Sequence, residues 1–214
     1  MSGHSKWNNI KGRKEKSDAE RSKIFTKVGR EIMVAVKEGG PNIDSNSKLK
    51  MAIAKARQYN MPNDRINNII KKNSEVDNSN FVEQTYEGYG IGGVAVVVKC
   101  FTDNKNRTSS DVRYAFDKFG GSLGSSGCVS YLFDNKGVIV VEKNDKFDSD
   151  SAMELAINEN ATDCEEDEVF TIYTEPSANA VNDMVSAFEN AGYTILSSGV
   201  EMLPQNYVTL DEHK

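Results

Sequence analysis

The chain has 214 residues, of which 38% are hydrophobic and 27% charged, a composition that is ordinary for a folded protein and argues against wholesale disorder. No apolar run approaches the roughly 20 residues that span a bilayer, and the basic start is not followed by the apolar core of a secretory signal, so we expect a cytoplasmic protein without a membrane partner. The net charge of −6 is unevenly divided, because residues 1–78 carry a balance of +8 and residues 79–214 a balance of −14. This asymmetry predicts a polyanionic partner for the basic part, unless the two parts simply attract each other.

Few residues of the types that catalyse reactions or bind metals are placed to do so. The two histidines, His4 and His213, lie at opposite ends of the chain. The cysteines are odd in number and lack the short paired spacings of a zinc site. We therefore expect no metal, no cofactor, no small-molecule substrate and no catalytic site, so that the protein is not an enzyme. Each cysteine is predicted to be a small, partly buried strand residue: Cys100, Cys128 and Cys164.

A flexible arm over residues 1–16 and three amphipathic helices are predicted first. Ser17 to Glu20 has the spacing of a capping box, and apolar residues recur at helical spacing from Ile24 to Val36. Gly39-Gly40-Pro41 ends this first helix. The second helix ends before Pro62. The apolar positions of the second and third helices are Leu49, Ala52, Ile53, Ala56, Ile66, Ile69 and Ile70.

The pattern changes to β-α-β after a polar linker at residues 73–78. The β-branched run from Gly93 to Val98 is typical of a buried strand. Thr108 to Asp111 repeats the capping-box spacing ahead of a helix that ends at Gly120-Gly121. Val129 to Phe133 is predicted to be the second strand.

A second unit has the element order β-α-β-β-α-β. This is the order of the split ferredoxin-like fold, an antiparallel sheet with both helices on one face. Its predicted strands and helices, in chain order, are a strand at 138–141, a helix at 153–157, a hairpin of 162–165 with 169–174, a helix at 181–188 closed by Gly192, and an extended segment at 193–203.

These elements predict an α+β chain of three domains. A basic helical domain with its arm takes residues 1–78, and the ferredoxin-like domain at residues 135–204 is inserted into another α/β domain. That discontinuous domain comprises residues 79–134 and 205–214, because the run from Tyr207 to Leu210 is assigned to it as a returning strand. Compared with a full ferredoxin-like arrangement, it lacks a helix and a closing strand.

Basic residues concentrate in the arm and the first helix. Phosphate binding uses such density because each neutralised phosphate releases a condensed counterion. The ring of Trp7 either stacks on an unpaired base or packs onto the helical bundle. The predicted nucleic-acid-binding residues are Lys6, Trp7, Lys11, Arg13, Lys14, Lys16, Arg21, Lys23, Lys27 and Arg30.

Several short motifs, found in the same order along the chain, resemble the YebC family of bacterial regulatory proteins. The resemblance runs from Ser2 to about Leu210. Its motifs are Gly3 to Lys11, Lys23 to Lys27, Tyr86 to Gly90, Gly92 to Ala95, Thr102 to Asn104, Asn106 to Thr108, Gly120 to Gly124 and Met202 to Gln205.

The resemblance implies an amino-terminal helical domain and two α/β domains, the third inserted in the second. It also implies a cytoplasmic regulator, either a DNA-binding transcription factor or a translational activator on the ribosome. Two departures are noted: Ile91 stands where the family usually has proline, and the family's usual carboxy-terminal helix and strand are lacking after Leu210.

Three further motifs have simple structural explanations. In the turn at 102–108, Asp103, Asn104 and Thr108 are ordinary turn and cap residues, while a phosphate contact by Arg107 stays open. The glycine-rich segment 120–127 follows a helix, whereas a phosphate cradle precedes one. The acidic run 163–168 lacks the ligand pattern of a calcium loop and is predicted to be a solvated hairpin tip.

The leading hypothesis is a non-enzymatic nucleic-acid-binding regulator of gene expression, a DNA-binding transcriptional regulatory protein of the YebC type. An RNA role, as a ribosome-associated translational activator that binds ribosomal RNA, is the first alternative, since no helix-turn-helix with a base-reading helix is evident. A protein-interaction scaffold with a basic arm is the alternative from another class.

Overall fold

A computed structural model describes residues 18–74 and 81–210, with side chains from residue 22 onward. The predicted fold class is confirmed, since helices come first and two small antiparallel sheets with their own helices follow. The chain forms two compact units, Met1–Glu75 with Asn135–Glu201 and Val76–Asp134 with Met202–Lys214. The division into three domains stays a prediction. No helix in the described ranges is long and apolar enough to cross a membrane.

Three helices form the first part of the chain, as predicted: α1 (Asp18–Gly39), α2 (Ser47–Gln58) and α3 (Asn63–Ser74). Gly40 ends α1 with a φ of +81°, a conformation that glycine adopts without steric cost. Asn46 caps α2, because its side chain accepts a hydrogen bond from the amide of Leu49 (3.0 Å). The helices bury a shared apolar core that includes Val28, Ile32, Ala35, Val36, Leu49, Ile53, Ala56, Met61 and Ile66.

The first sheet belongs to the unit Val76–Asp134 with Met202–Lys214. It contains β1 (Val82–Tyr89), β2 (Ala95–Thr102) and the short β3 (Ser122–Leu123), in the order β2-β1-β3, with α4 (Lys105–Lys118) between β2 and β3 in the chain. The predicted β-α-β order missed β1. Its sequence, VEQTYEGY, shows no apolar alternation, and its two buried residues are Glu87 and Gly88.

Three local predictions in this unit are wrong. Helix α4 begins three residues before Thr108, with Asn104 as its N-cap, because the Asn104 side chain accepts a hydrogen bond from the amide of Arg107 (3.0 Å). The predicted strand Val129–Phe133 is mostly a single 3₁₀ turn at Ser130–Leu132, and the strand begins only at Phe133. Residues 207–210 pair with no strand of the described sheets.

The second sheet has the predicted ferredoxin-like topology. Its strands run in the order β5-β6-β4-β7, and β6 pairs antiparallel with both β4 and β5. Both helices and the predicted hairpin are present, and the acidic run ends in a turn after β5. The elements are β4 (Phe133–Glu142), α5 (Ser149–Asn158), β5 (Asp163–Glu166), β6 (Val169–Thr174), α6 (Ala178–Asn190) and β7 (Ile195–Pro204).

Helix α2 contacts helix α6 within one compact unit. Met51 packs against the core of the second sheet, and the Asn182 side-chain amide donates to the carbonyl of Ser47 (3.1 Å). The Ser47 hydroxyl also donates to the side chain of Asn179. These contacts explain why the three amino-terminal helices cluster with the second sheet, which we call the inserted sheet because residues 135–201 interrupt the other unit in the chain.

Candidate nucleic-acid interface

Helix α1 places Lys23, Lys27 and Arg30 on one face. Their spacing of four and three residues puts their side chains above one another on the helix surface. The opposite face of α1 carries Val28 and Ile32, which are fully buried in the helical core. All three cations are exposed, so burial of the apolar face directs the basic face outward.

The acidic residues in the second half of α1 are held by helix α2. Lys55 Nζ lies 2.8 Å from a carboxylate oxygen of Glu31, and Lys48 Nζ lies 2.7 Å from Glu38. The charges of these two acids are therefore offset by α2. The basic face of α1 therefore does not have to neutralise these two acids.

The described structure covers only part of the predicted site. Lys6, Trp7, Lys11, Arg13, Lys14 and Lys16 lie outside the described residues, and Arg21 is described by its backbone alone, within α1. Lys23, Lys27 and Arg30 are the predicted site residues that the structure brings together.

Arg65 is a candidate that the sequence analysis missed. It is exposed on α3, and its guanidinium carbon lies 5.3 Å from the centre of the Phe25 ring, a cation–π distance. Arg65 therefore lies beside the amino-terminal half of α1. No local motif marks it, because its place depends on how α3 packs against α1. Lys71 and Lys72, in the last turn of α3, are exposed as well.

The turn before α4 is structural, as predicted, although Asn104 and not Thr108 is the cap. Arg107 lies 2.5 Å from Asp103, and the hydroxyl of Thr108 donates to that of Thr102 (2.7 Å). The amide of Asn104 also donates to the Thr102 hydroxyl (2.9 Å). The guanidinium of Arg107 is thus engaged within its own turn.

The glycine-rich segment leads into a turn held by a buried carboxylate. Glu87 accepts hydrogen bonds from the amides of Gly127 (2.9 Å), Val129 (3.0 Å) and Ser130 (2.8 Å). These bonds, that from Gly127 foremost, lower the pKa of Glu87. The three amides point at a carboxylate of the protein itself and are therefore not available to a bound phosphate.

The acidic hairpin is tied to its own unit. Glu166 forms a salt bridge with Lys143 (2.6 Å), and the hydrogen bond from Lys143 is the main cause that lowers the pKa of Glu166. Burial raises the pKa of the Cys164 thiol, which disfavours the reactive thiolate. Within residues 18–74 and 81–210, no group of three or more His, Cys, Asp and Glu side chains is arranged to hold a metal ion.

The cysteine prediction is partly wrong. Cys100 and Cys164 are half-buried strand residues, as expected. Cys128 is half-buried too, but it lies in the turn that Glu87 holds, since the strand predicted there begins later in the chain.

Fold and surface together define a class of protein: a basic three-helix segment precedes two small α/β sheets, the second of them ferredoxin-like. Two family models match the chain, the TACO1/YebC protein N-terminal domain over residues 5–76 and the TACO1/YebC second and third domain over residues 81–214. The chain belongs to the TACO1/YebC family, and the predicted resemblance is confirmed.

Similar proteins support this assignment along the whole chain. A protein of Acetivibrio thermocellus named "Probable transcriptional regulatory protein" is 52% identical over 216 residues, which cover 100% of this chain and 88% of that protein. A protein of the same name from Ruminiclostridium cellulolyticum is 52% identical and is covered over 86% of its length. The crystal structure of a conserved hypothetical protein from Aquifex aeolicus matches with a TM-score of 0.77 at 42% identity, over 92% of this chain and 81% of that one.

Proposed function

We propose that this protein is a non-enzymatic regulator of gene expression that binds nucleic acid through the basic face of α1, as a DNA-binding transcriptional regulator. The observation that carries the proposal is the row of exposed cations at Lys23, Lys27 and Arg30, with Arg65 of α3 beside it. The names of the bacterial relatives support a regulatory role in transcription.

Binding of this kind is electrostatic and tolerant of sequence. Lysine and arginine side chains on a helix face contact phosphate oxygens and position the protein on the backbone, whereas base edges carry the sequence information. The six cations and the indole predicted in residues 6–21 are proposed to bind the same nucleic acid, with Trp7 stacking on an unpaired base. The affinity then depends strongly on salt, because counterions are released from the nucleic acid.

RNA is the alternative target that the geometry also supports. The exposed cations of α1 suit contact with a phosphate backbone, and both DNA and RNA have one. A ribosome-associated translational activator would use the same residues on ribosomal RNA. A scaffold whose basic segment binds an acidic protein is the third possibility, which binding measurements can separate from the other two.

The proposal is tested by replacing Lys23 and Lys27 with alanine together. We expect weaker binding to a duplex DNA or a structured RNA at low salt. The slope of log affinity against log salt should fall by about two, since each lysine that contacts a phosphate contributes about one. Fluorescence anisotropy across a salt series measures both quantities.

The matched control is the double variant Lys99→Ala with Lys146→Ala, which removes the same charge from two other exposed lysines. It should leave the salt slope within error of the wild type. An equal fall in both double variants would mean that only net charge matters, and an unchanged slope in K23A/K27A would remove α1 from the interface.

Crosslinking in cells followed by sequencing of the bound nucleic acid separates the three functions. Promoter DNA supports transcriptional regulation, and ribosomal RNA supports the translational alternative. If neither is enriched, while an acidic protein is recovered in a way that depends on Lys23 and Lys27, the scaffold remains.

A further inference from the structure

Helix α4 is a basic helix in the acidic part of the chain. Residues 79–214 contain nine lysines and arginines, and four of them lie within the 14 residues of α4. The helix has two acidic residues, Asp111 and Asp117. Its cations are Lys105, Arg107, Arg113 and Lys118. Arg107 pairs with Asp103 in its own turn, but the packing of the helix does not require the other three cations, which are exposed.

Two aromatic side chains lie among these cations. Tyr114 is 65% exposed and Phe119 is 69% exposed. Lys118 links them, since its Nζ lies 5.6 Å from the centre of the Tyr114 ring and 5.7 Å from that of Phe119. The residue that anchors α4 to its sheet is Phe116, which is buried. Tyr114 and Lys118, each two residues from Phe116, project to the opposite side of the helix.

A shallow apolar recess adjoins Phe119. It has a volume of about 220 Å³ and is lined by Gly90, Val96, Ala115, Phe116, Phe119 and Gly121. Gly121 has no room for a larger side chain, since a Cβ there would lie 2.6 Å from the carbonyl oxygen of Tyr89. The recess is open to solvent beside the Phe119 ring.

The combination of rings and cations selects the kind of partner. An acidic peptide would use the cations and leave the rings in water, and an apolar peptide would do the reverse. Duplex nucleic acid keeps its bases stacked inside. Single-stranded nucleic acid uses both features at once, because unpaired bases stack on aromatic faces while their phosphates meet lysine and arginine.

We propose that α4 is a second contact surface, specific for single-stranded nucleic acid. Unpaired bases stack on Tyr114 and Phe119, and Lys118 and Arg113 neutralise the adjoining phosphates. The inference rests on the proposed function in that the partner is the same nucleic acid. It adds that an unpaired segment of that partner is bound by the unit that contains the first sheet. The residues involved had no binding role predicted from the sequence.

The test replaces both rings with alanine, in the variant Tyr114→Ala with Phe119→Ala. Fluorescence anisotropy is measured with a labelled oligo(U), a labelled oligo(dT) and a labelled mixed-sequence duplex DNA. We expect affinity for both single strands to fall about tenfold or more, and affinity for the duplex to change less than about twofold. Equal losses on oligo(U) and oligo(dT) would show that ribose is not read.

The matched control exchanges the rings, as Tyr114→Phe with Phe119→Tyr, which keeps both aromatic faces and should bind like the wild type. A second control, Ile157→Ala, removes a large apolar side chain that is equally exposed (65%) on α5 and should have no effect. Circular dichroism is used to check that each variant folds. We expect that all of them do, because both rings are exposed.

The outcomes separate this inference from the proposed function. If wild-type protein binds the duplex and K23A/K27A weakens that binding, but Y114A/F119A still binds oligo(U) normally, the α4 surface is refuted and the α1 surface stands. A ring-exchange variant that loses as much as the alanine variant also refutes stacking. If wild-type protein binds neither single strand nor duplex, both proposals fail.

Discussion

The two sheets of this protein are built from similar elements and reach different degrees of burial. In the inserted sheet, two helices cover one face, and all six residues of β6 are buried. In the first sheet, one helix accompanies three strands. Thr102 is the buried residue of β2, and the other seven are half-buried or exposed. The inserted sheet is thus closed to water, whereas the first sheet keeps apolar surface in contact with water.

This difference predicts different roles for the two sheets. Burying apolar surface stabilises a fold by about 25 cal/mol for each Å² removed from water, so the inserted sheet supplies the more stable core. The first sheet leaves exposed Tyr114, Phe119 and Ile91, together with an open recess beside α4. Exposed apolar side chains that form a patch mark interaction sites, whereas scattered single ones do not. The first sheet is the one that we expect to contact a partner.

The largest expected effect comes from the aromatic centre of the inserted sheet. Phe188 is fully buried against Phe170 and Tyr193, and Phe188→Ala should lower the free energy of unfolding by about 3–5 kcal/mol. The matched change in the first sheet is Phe116→Ala. Its loss in free energy of unfolding should be at or below the lower end of that range, because water already reaches the recess that Phe116 lines. Urea denaturation measures both, and equal losses would contradict the comparison.

A smaller effect is expected from the carboxylate that holds the turn after β3. Glu87→Gln leaves one acceptor oxygen in place of a carboxylate that takes three amide hydrogen bonds, so the melting temperature should fall by several degrees at neutral pH. Hydrogen exchange at the amides of Gly127, Val129 and Ser130 should become faster. Glu83→Gln, an exposed change in the same strand, is the control.

The effect of Glu87 should depend on pH in one direction. Its pKa is lowered by folding, so its contribution is present above the ordinary glutamate pKa and is lost as the pH falls through the lowered value. The difference in melting temperature between wild type and Glu87→Gln should therefore shrink on acidification. Asp148 and Glu166, whose pKa values are also lowered, remain in both proteins and cancel in this difference. A constant difference across that range would rule out the carboxylate as the cause.

The smallest effect is expected at the half-buried β2. Val98→Ala should lower the free energy of unfolding by less than about 1 kcal/mol, because part of the side chain already contacts water. Val141→Ala, in the closed sheet, is the matched change at a fully buried valine and should cost about 2 kcal/mol. The ratio of the two losses measures how open the first sheet is.

Elements with strong local patterns were predictable. The helices α1 to α3, α5 and α6 have apolar residues at helical spacing, and glycines lie just beyond α1 and α6. The hairpin β5–β6 follows from the β-branched and aromatic run of β6 next to an acidic turn. The missed strand β1 has no such pattern, since its pairing with β2 places Glu87 against Val97 and leaves its buried positions to a carboxylate and a glycine.

The start of α1 lies where the sequence predicted it, whereas the cap predicted for α4 is wrong. Capping-box spacings occur at Ser17 and at Thr108. The structure starts α1 at Asp18, and Ser17 itself lies outside the described residues. At α4 the competing cap Asn104 forms its hydrogen bond four residues earlier, and Thr108 bonds to Thr102 instead. Two cap signals in succession cannot be ranked from the sequence, because the choice depends on where β2 ends.

The sequence by itself determined the charge division, the amphipathic helices, the ferredoxin-like order and the family, because these are properties of local pattern and residue identity. Tertiary structure alone decided that Arg65 lies beside Phe25, that Glu87 holds the turn at Gly127, and that the rings of Tyr114 and Phe119 share Lys118 on an exposed face. The first two arrangements join residues that are 40 positions apart in the chain. The third needs the helix boundaries and the choice of buried face, which packing against the sheet sets.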